Sequence, residues 1–280
     1  MTSVGIVVPT FNSAKTLRMC LESLRSQTHP CQLVVVDNHS VDETRGIAGE
    51  VADHVLVVGP ERSAQRNAGA AFLHCEIVGF IDSDMTVSPR VVEEVAAAVG
   101  AGAGAVVVPE VTVGTGFWAS VRAFERSHYI GDERVEAARF FRADLFQALN
   151  GFDEGLDAAE DWDLTIRARA VALVGRTESR IDHHEGRVTY RAACAKKGRY
   201  AGGILAFSRK QGTRSLGRLL SRRYLRQPWL LLVPHPLLGA GLVALKSGES
   251  LAVGWHLIHH RGWTGAGAAR RGRADRAHLR

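Results

Sequence analysis

Apolar and polar positions follow two repeating patterns along the first hundred residues. Four short runs are almost entirely apolar, as is typical of strands buried on both faces of a sheet. In chain order these runs are VGIVVPT, QLVVVDN, HVLVVG and IVGFIDSD. The segments between them carry apolar residues at helical spacing, as in SAKTLRMCLESLRSQT. This alternation predicts an α/β protein with a mostly parallel sheet and helices on both faces.

The expected helix boundaries follow from capping residues and turns. We expect the first helix to have Asn12 or Ser13 as its N-cap. From Gly102 the pattern changes: GAVVVPEV predicts one further strand, FWASVRAFERSHYI a helix, and AARFFRADLFQALNGFDE a strand and a helix closed by Asn150-Gly151. EDWDLTIRARAVAL predicts a helix with acids in its first turn. We therefore divide a domain of residues 1–205 into halves of about 1–105 and 106–205.

Polar residues stand where the predicted strands end. Pro9 and Thr10 end the first strand, Asp37 ends the second, and Asp82 and Asp84 end the fourth. In parallel sheets of this kind, ligands bind at the carboxyl ends of the strands. Carboxylates this close repel one another unless a cation or a proton lies between them. The sequence therefore predicts a ligand site with bound positive charge at this edge.

The loop after the first strand excludes two kinds of nucleotide site. It reads PTFNSAKT and contains neither the glycines of a dinucleotide fingerprint nor the pattern of a P-loop. Asp37 could hold a ribose in a dinucleotide or methyl-donor fold, but without the glycines that interpretation is weak. A different class of nucleotide-binding protein is indicated.

Composition places the chain among intracellular globular proteins. Its 280 residues have a hydrophobic content of 46% and a net charge of +6. The four cysteines show no C-x-x-C spacing, which argues against a disulfide framework or a thiolate zinc site. The N-terminus lacks the pattern of a signal peptide. We expect a cytoplasmic protein.

Six motifs in register resemble family 2 glycosyltransferases. They are VVPTFNSAKTLRMCLESLRSQT, VVVDNHSVDET, RSAQRNAGA, FIDSDM, GFDE and EDWDL, and the resemblance covers roughly residues 3–190. It implies a GT-A type fold, with a mostly parallel Rossmann-like sheet. It also implies an inverting enzyme that moves a sugar from a nucleotide-diphosphate donor to an acceptor hydroxyl.

The resemblance also implies a divalent cation, Mn²⁺ or Mg²⁺, bound with the donor. Such ions prefer carboxylate oxygens and would neutralise the charge that develops on the leaving diphosphate. By similarity, Asp84 binds the metal, while Asp82 reaches the ribose or sugar, with Ser83 between them. His183, in IDHHEGR, matches a histidine that can complete the metal shell. An isolated strand end with solvated acids is the alternative.

Four further residues are assigned to the nucleotide pocket. Asp37 resembles the family residue that accepts a hydrogen bond from the base, and Pro9 and Thr10 would line the same pocket. Arg66 lies on the predicted helix before the D-x-D strand and could face the nucleotide. The alternative for Arg66 is a surface arginine that balances nearby acids.

The resemblance assigns the general base to Asp161. A carboxylate within hydrogen-bond reach can take the proton of an acceptor hydroxyl as its oxygen attacks. Glu160 and Asp163 would be neighbours that orient the base or cap the helix. The alternative is that acids in a first helical turn stabilise the helix dipole. Three acids in four residues exceed what capping requires, and their repulsion would raise the proton affinity of at least one.

The resemblance predicts that the enzyme transfers one sugar per event and does not synthesise a polymer processively. The Q-x-x-R-W motif of processive members is missing from the sequence. We expect a hexosyltransferase-like enzyme with a UDP-sugar donor, with GDP- and dTDP-sugars as alternatives, and a glycan, natural-product precursor or lipid-linked acceptor.

Residues 206–280 are predicted to form a helical C-terminal extension with a flexible tail. Five arginines between positions 214 and 226 precede an apolar stretch, PWLLLVPHPLLGAGLVAL, that is broken by prolines. Bases beside an apolar stretch are typical of a segment in a membrane interface, here the inner face of the cell membrane. The alternative is a pair of core helices or a homodimer contact. We expect no nucleic-acid partner.

Two other functions remain as alternatives. A sugar nucleotidyltransferase would need a loop of the G-x-G-T-R kind near the N-terminus, and the sequence lacks one. A catalytically inactive glycan- or membrane-binding module would not need Asp82, Asp84 and Asp161, all of which are present.

Overall fold

A computed structural model describes residues 2–220, 229 and 235–259. Ten strands lie within these residues: β1 Val4–Thr10, β2 Gln32–Asp37, β3 His54–Val57, β4 Ile77–Phe80, β5 Met85–Val87, β6 Ala105–Val107, β7 Glu110–Thr115, β8 Ala138–Arg142, β9 Val174–Arg176 and β10 Ile181–Arg187. Seven form one sheet in the order β3-β2-β1-β4-β8-β6-β9, and three form a second sheet in the order β5-β10-β7.

The main sheet confirms the predicted α/β class. β1 to β4 run parallel to one another, as do β6 and β9, whereas β8 lies between β4 and β6 and is antiparallel to both. All seven residues of β1 are buried, because helices cover both faces of the sheet. Thr10 pairs with Asp37, so β1 and β2 end side by side.

The described helices are α1 Leu17–Arg25, α2 Thr44–Val51, α3 Arg62–Phe72, α4 Val91–Gly100, α5 Phe117–Ser127, α6 Ala143–Ala148, α7 Glu160–Arg169, α8 Tyr190–Arg199, α9 Ala201–Leu220 and α10 Pro236–His259. α9 is kinked at Gly212, where φ is 79°. The predicted N-cap of α1 was wrong, because the helix begins at Leu17. Asn12 instead accepts a hydrogen bond from the amide of Val41, which ties the β1–α1 loop to the β2–α2 loop.

The predicted strand GAVVVPEV was also wrong, because the structure divides it between the two sheets. β6 belongs to the main sheet and β7 to the second sheet, with Val108-Pro109 between them. Proline has no N–H to donate to a sheet, which favours a strand end at this point. Similarly, the apolar run before the D-x-D motif ends at Phe80, so Asp82 and Asp84 lie where the chain crosses from one sheet to the other.

The C-terminal part packs against the second half of the domain. Leu242 and Leu245 of α10 form one buried cluster with residues of α5 and α8. The predicted boundary between residues 205 and 206 falls inside α9, so the backbone has no break there. Of the five arginines, those at 222, 223 and 226 lie outside the described residues, as does the predicted tail from residue 260.

Candidate active site

The sheet crossing brings Asp84 beside His183. Met85 in β5 pairs with His183 in β10, so the residue before Met85 lies next to the histidine ring. Asp84 Oδ2 is 3.2 Å from His183 Nε2. The backbone amide of His184 donates to the carbonyl oxygen of Asp84 at 2.8 Å, which holds the two chain segments together.

Two arginines hold the first aspartate of the motif. Arg66 Nη2 donates to Asp82 Oδ1 at 2.6 Å, and Arg139 Nη1 donates to Asp82 Oδ2 at 3.2 Å. Burial alone raises the pKa of Asp82, but the arginines outweigh burial and hold that pKa well below its usual range. Asp82 is therefore ionised at neutral pH, with each oxygen fixed by an arginine.

Arg66 also joins Asp82 to the acids at the start of α7. Its side chain is 1% exposed, and its Nη1 lies 3.1 Å from Glu160 Oε1 and 3.3 Å from Asp161 Oδ1. The guanidinium carbon lies 5.1 Å from the centre of the Phe152 ring. The structure thus places Arg66 between the D-x-D motif and the E-D pair, and excludes the alternative of a surface arginine.

Glu160 and Asp161 differ in their access to solvent. The side chain of Asp161 is 28% exposed, whereas that of Glu160 is 5% exposed and also contacts Arg62 Nη2 at 3.2 Å. Burial, followed by the charge of Asp161, raises the pKa of Glu160 to about 7. Burial opposes the ionisation of Asp161, but Arg66 and Arg139 outweigh it and lower the pKa of Asp161. The accessible carboxylate is therefore the charged one.

The third acid of the motif, Asp163, belongs to another network. Its buried carboxylate accepts hydrogen bonds from Arg167 Nε at 2.9 Å, Lys210 Nζ at 3.0 Å and Gln211 Nε2 at 2.6 Å. Because Lys210 and Gln211 belong to α9, Asp163 fixes α9 against the helix that carries Asp161. Its role is to position these helices.

Glu110 and Arg139 extend the site, and the sequence did not single out either of them. Arg139 donates from Nε and Nη2 to Glu110 Oε1 at 2.7 and 2.5 Å. Arg126 Nη1 donates to the other oxygen of Glu110 at 2.5 Å. Two features of the sequence could have drawn attention to them. Arg139 is a charged residue within the otherwise apolar run AARFF, and Glu110 directly follows Pro109 at the start of a strand.

The surroundings of Asp84 and His183 fit a divalent cation. His183 Nδ1 is buried without a hydrogen bond, and Glu110 Oε2 lies 3.9 Å away. Metal-binding histidines commonly donate the N–H of their second nitrogen to a carboxylate, and Glu110 is the carboxylate on that side of His183. Burial lowers the pKa of His183, but Asp84 and Glu110 outweigh it and raise that pKa to about 9. Positive charge is therefore favoured between these groups.

The protein alone would supply only part of a metal shell. Among the described residues, no group of three or more His, Cys, Asp or Glu side chains could hold a metal ion. Asp84 and His183 would thus be two ligands, with phosphate oxygens and water completing the shell, as is usual for Mg²⁺ at nucleotide sites.

The predicted nucleotide pocket lies at the ends of β1 and β2. Asp37 is fully buried and accepts hydrogen bonds from Thr10 Oγ1 at 3.0 Å and from the backbone amide of Ser40 at 2.8 Å. Pro9 is buried in β1 beside Val36. Phe11, which the sequence did not single out, follows in the loop with 60% of its surface exposed.

The β1–α1 loop also reaches the D-x-D motif. Ser83 Oγ donates to Ser13 Oγ at 2.9 Å. Ser83 therefore connects the end of β1 with the crossing segment that carries Asp82 and Asp84. The predicted nucleotide residues at the ends of β1 and β2 are therefore continuous with the predicted metal residues, which lie where the main sheet meets the second sheet.

A cavity of about 340 Å³ opens beside these acids. Asp82, Glu160, Asp161 and His183 line one end of it. The volume is at the small end of the roughly 300–1,000 Å³ that is common for ligand pockets. A small molecule in this cavity could reach the Asp161 carboxylate.

The raised pKa of Glu160 predicts a pH-dependent stability. An isolated glutamate titrates near 4.5, so the contribution of protonated Glu160 is complete below pH 4.5 and is lost as the pH rises through about 7. Relative to Glu160→Gln, the free energy of unfolding of the wild type should fall across this range, by at most about 3 kcal/mol. Urea unfolding of both proteins at pH 5 and pH 8, without metal or donor, measures the difference. If the free energies of unfolding of the two proteins change in parallel with pH, the raised pKa does not belong to Glu160.

Comparisons with known proteins identify the family of the chain. The family model described as Glycosyl transferase family 2 matches residues 5–155, more than half of the chain. The Succinoglycan biosynthesis protein ExoA of Rhizobium meliloti is 30% identical over 195 residues, which are 59% of this chain and 58% of ExoA. The chain spans less than two thirds of the length of the curated relatives that it matches first.

Solved structures share the fold at low sequence identity. TarS 1-349 of S. aureus, in complex with UDP-GlcNAc, has a TM-score of 0.53 and 18% identity, and the match covers 92% of this chain and 91% of that one. The mannosyltransferase PcManGT of Pyrobaculum calidifontis, in complex with GDP-Man and Mn²⁺, has a TM-score of 0.55 and 18% identity, with 99% and 80% covered.

Proposed function

The chain belongs to glycosyl transferase family 2 and has the GT-A type fold, and from this premise we propose that it transfers one sugar from a nucleotide-diphosphate sugar to an acceptor hydroxyl with inversion at the anomeric carbon. One observation carries the proposal. Asp82, Asp84, Asp161 and His183 converge where the main sheet, the second sheet and α7 meet, and they are connected through Arg66, Arg139 and Glu110.

In this proposal the donor lies along the ends of β1, β2 and β4. Pro9, Thr10 and Asp37 form the floor under the base, and Phe11 offers an exposed ring beside them. Asp82, fixed by two arginines, presents a rigid charged edge toward the ribose or sugar. Asp84 and His183 would hold the Mn²⁺ or Mg²⁺ ion. When bound, that ion would neutralise the charge that develops on the leaving diphosphate.

The reaction is a single displacement. Asp161 accepts the proton of the acceptor hydroxyl as its oxygen forms a bond to the anomeric carbon. The bond from that carbon to the diphosphate oxygen breaks, and the electron pair leaves with the diphosphate. Arg66 keeps Asp161 ionised, and so ready to accept a proton, because its guanidinium contacts the carboxylate directly.

UDP-sugars are the favoured donors in this proposal, with GDP- and dTDP-sugars as alternatives. TarS was solved with UDP-GlcNAc, and PcManGT with GDP-Man and Mn²⁺. The direct test is a thermal-shift screen of these three donor classes with Mn²⁺, followed by a transfer assay on the donor that stabilises most. A screen in which no donor raises the melting temperature, with no turnover of any donor, would overturn the proposal.

The outward surface of α10 supports contact with a membrane. α10 is long and apolar enough to span a bilayer by length and composition, although 33% of its most apolar stretch is buried in the protein. Leu251, Trp255 and Ile258 are 76%, 66% and 64% exposed. The two charged residues of α10, Lys246 and Glu249, pair with each other at 2.7 Å. We therefore place α10 flat on the inner face of the cell membrane, which suits a lipid-linked acceptor.

Two sets of substitutions test the membrane contact. Changing Leu251, Trp255 and Ile258 to glutamine should reduce sedimentation with anionic vesicles at low and high salt, because the apolar contribution is insensitive to salt. Changing Arg218, Arg222 and Arg223 to glutamine should reduce it mainly at low salt, by about 1 kcal/mol per arginine near the surface. If both variants fold and sediment with vesicles as the wild type does, the proposed membrane contact is contradicted. A dimer that only the first set dissociates would assign this face to a second copy.

A further inference from the structure

The cavity beside Asp161 continues to the C-terminal helix. Its far end is lined by Glu125 of α5, Lys246 and Glu249 of α10, and Tyr200 between α8 and α9. The extension is therefore a wall of the same cavity that contains the Asp161 carboxylate.

Two buried carboxylates face this end of the cavity. Glu125 and Glu249 are 6% and 5% exposed, and Lys246 Nζ lies 2.7 Å from an oxygen of each. The Tyr129 hydroxyl also donates to Glu125 Oε1. A carboxylate has about four acceptor positions, so both glutamates can accept further hydrogen bonds. A buried charge is costly unless it is paired and hydrogen-bonded. A carboxylate only accepts hydrogen bonds and an ammonium only donates them. A hydroxyl group does both, so a molecule with several neighbouring hydroxyls matches this cluster.

The charge balance of the cavity favours a neutral ligand. Its described lining contains seven basic and seven acidic side chains. Because the raised pKa of His183 adds a positive charge and that of Glu160 removes part of a negative one, the lining carries only a small net positive charge with which to select an ion. Trp162 and Tyr129 add aromatic surface to the lining of the cavity. Such surface can cover the apolar face of a sugar ring while the carboxylates accept hydrogen bonds from its hydroxyls.

Close glycine contacts hold α10 in position as a wall. A Cβ atom on Gly241 would lie 2.7 Å from a methyl carbon of Val121, and one on Gly248 would lie 2.1 Å from the Tyr190 hydroxyl. The helix thus approaches α5 and α8 more closely than a side chain would permit. The backbone that carries Glu249 is thus closely packed before any ligand arrives, and its side chain is paired with Lys246, which favours binding.

We propose that Glu125, Lys246 and Glu249 form a subsite for the hydroxyl groups of a neutral sugar that is part of the acceptor, while the reacting hydroxyl of the acceptor lies at the Asp161 end of the cavity. This inference rests on the proposed function and names the acceptor class. It assigns α10 a direct part in acceptor binding in addition to its outward apolar face.

The test uses the full chain with UDP and Mg²⁺ and measures the binding of sugars by saturation-transfer NMR. The neutral probes are the methyl glycosides of glucose, galactose, mannose and N-acetylglucosamine, and the anionic probes are methyl glucuronide and glucose 6-phosphate. We expect at least one neutral glycoside to bind the wild type. Glu249→Gln should raise its dissociation constant by about tenfold, since a charge-assisted hydrogen bond is lost. Ser250→Ala, on the exposed side of α10, is the matched control and should leave it unchanged.

Three results would overturn the subsite. They are no binding of any neutral glycoside, binding of the anionic probes alone, and equal affinity in the wild type and Glu249→Gln. If Glu249→Gln does not fold, Tyr200→Ala decides, because this half-buried ring lines the same end of the cavity. Unchanged sugar affinity in folded Tyr200→Ala would then contradict the subsite. Donor hydrolysis by the wild type is measured in parallel and tests the proposed transfer reaction alone. A failure of the sugar subsite can therefore be distinguished from a failure of the proposed function.

Discussion

Replacing Asp84 by alanine is expected to abolish sugar transfer and to remove metal-dependent binding of the donor. In the proposed function Asp84 and His183 hold the cation, and their nearest atoms are 3.2 Å apart. Without Asp84, His183 would be the only protein ligand of the pair. The fold should survive, since the Asp84 side chain is 41% exposed and lies on a segment between two strands.

The measurement is the thermal-shift screen with the best donor, with and without Mn²⁺. For the wild type at a donor concentration of 100 times the dissociation constant, binding should stabilise the fold by about 2.7 kcal/mol. Asp84→Ala should show no Mn²⁺-dependent part of this shift. Asp144→Ala is the control, because this exposed acid pairs with Arg142 on the surface. Full wild-type turnover in excess chelator would remove the metal from the mechanism.

Asp161→Asn is expected to lower turnover by about 10²-fold or more, the usual scale for the loss of a general base. The amide keeps the shape of the side chain but cannot accept the proton of the acceptor hydroxyl. Donor affinity should change little, because the Asp161 carboxylate faces the cavity beyond the D-x-D motif. The measurement is the single-turnover rate at saturating donor, together with the donor dissociation constant.

Glu160→Gln separates the two acids of the pair. Glu160 is turned toward Arg62 and Arg66 and is 5% exposed, so its substitution should reduce turnover less than Asp161→Asn does. If Glu160→Gln reduced turnover more than Asp161→Asn does, Glu160 would be the general base. The anomeric configuration of the product provides an independent check, because a single displacement inverts it. Retention of configuration, or a loss of donor binding in Asp161→Asn, would contradict the assigned mechanism.

The order of strands and helices was accessible from the sequence because each element has a local signature. Apolar runs identified β1 to β4, helical spacing identified α1, and α7 was predicted as a helix with acids in its first turn. The acids at the strand ends followed from the same pattern, since parallel strands end at a common edge. The errors fell where tertiary contacts override local preference. α1 begins four residues after Ser13 because the preceding loop is bonded to the next β–α loop.

The connections between the acids were decided only by the tertiary structure. Arg66 contacts Glu160 across 94 positions in the chain, and His183 contacts Asp84 across 99. No local periodicity marks such pairs. Arg139 and Glu110 enter the site because an antiparallel strand and a second sheet deliver them to Asp82 and His183.

The sequence alone indicated which charged residues were candidates for the site and which segments would be buried. Both follow from hydrophobic periodicity and side-chain chemistry, which are local properties of the chain. Only the folded chain decided that Asp161 is accessible while Glu160 is buried, and that Glu249 of the C-terminal helix lines the same cavity. Accessibility and shared cavities depend on the packing of elements that are distant in sequence, and this packing is a property of the whole fold.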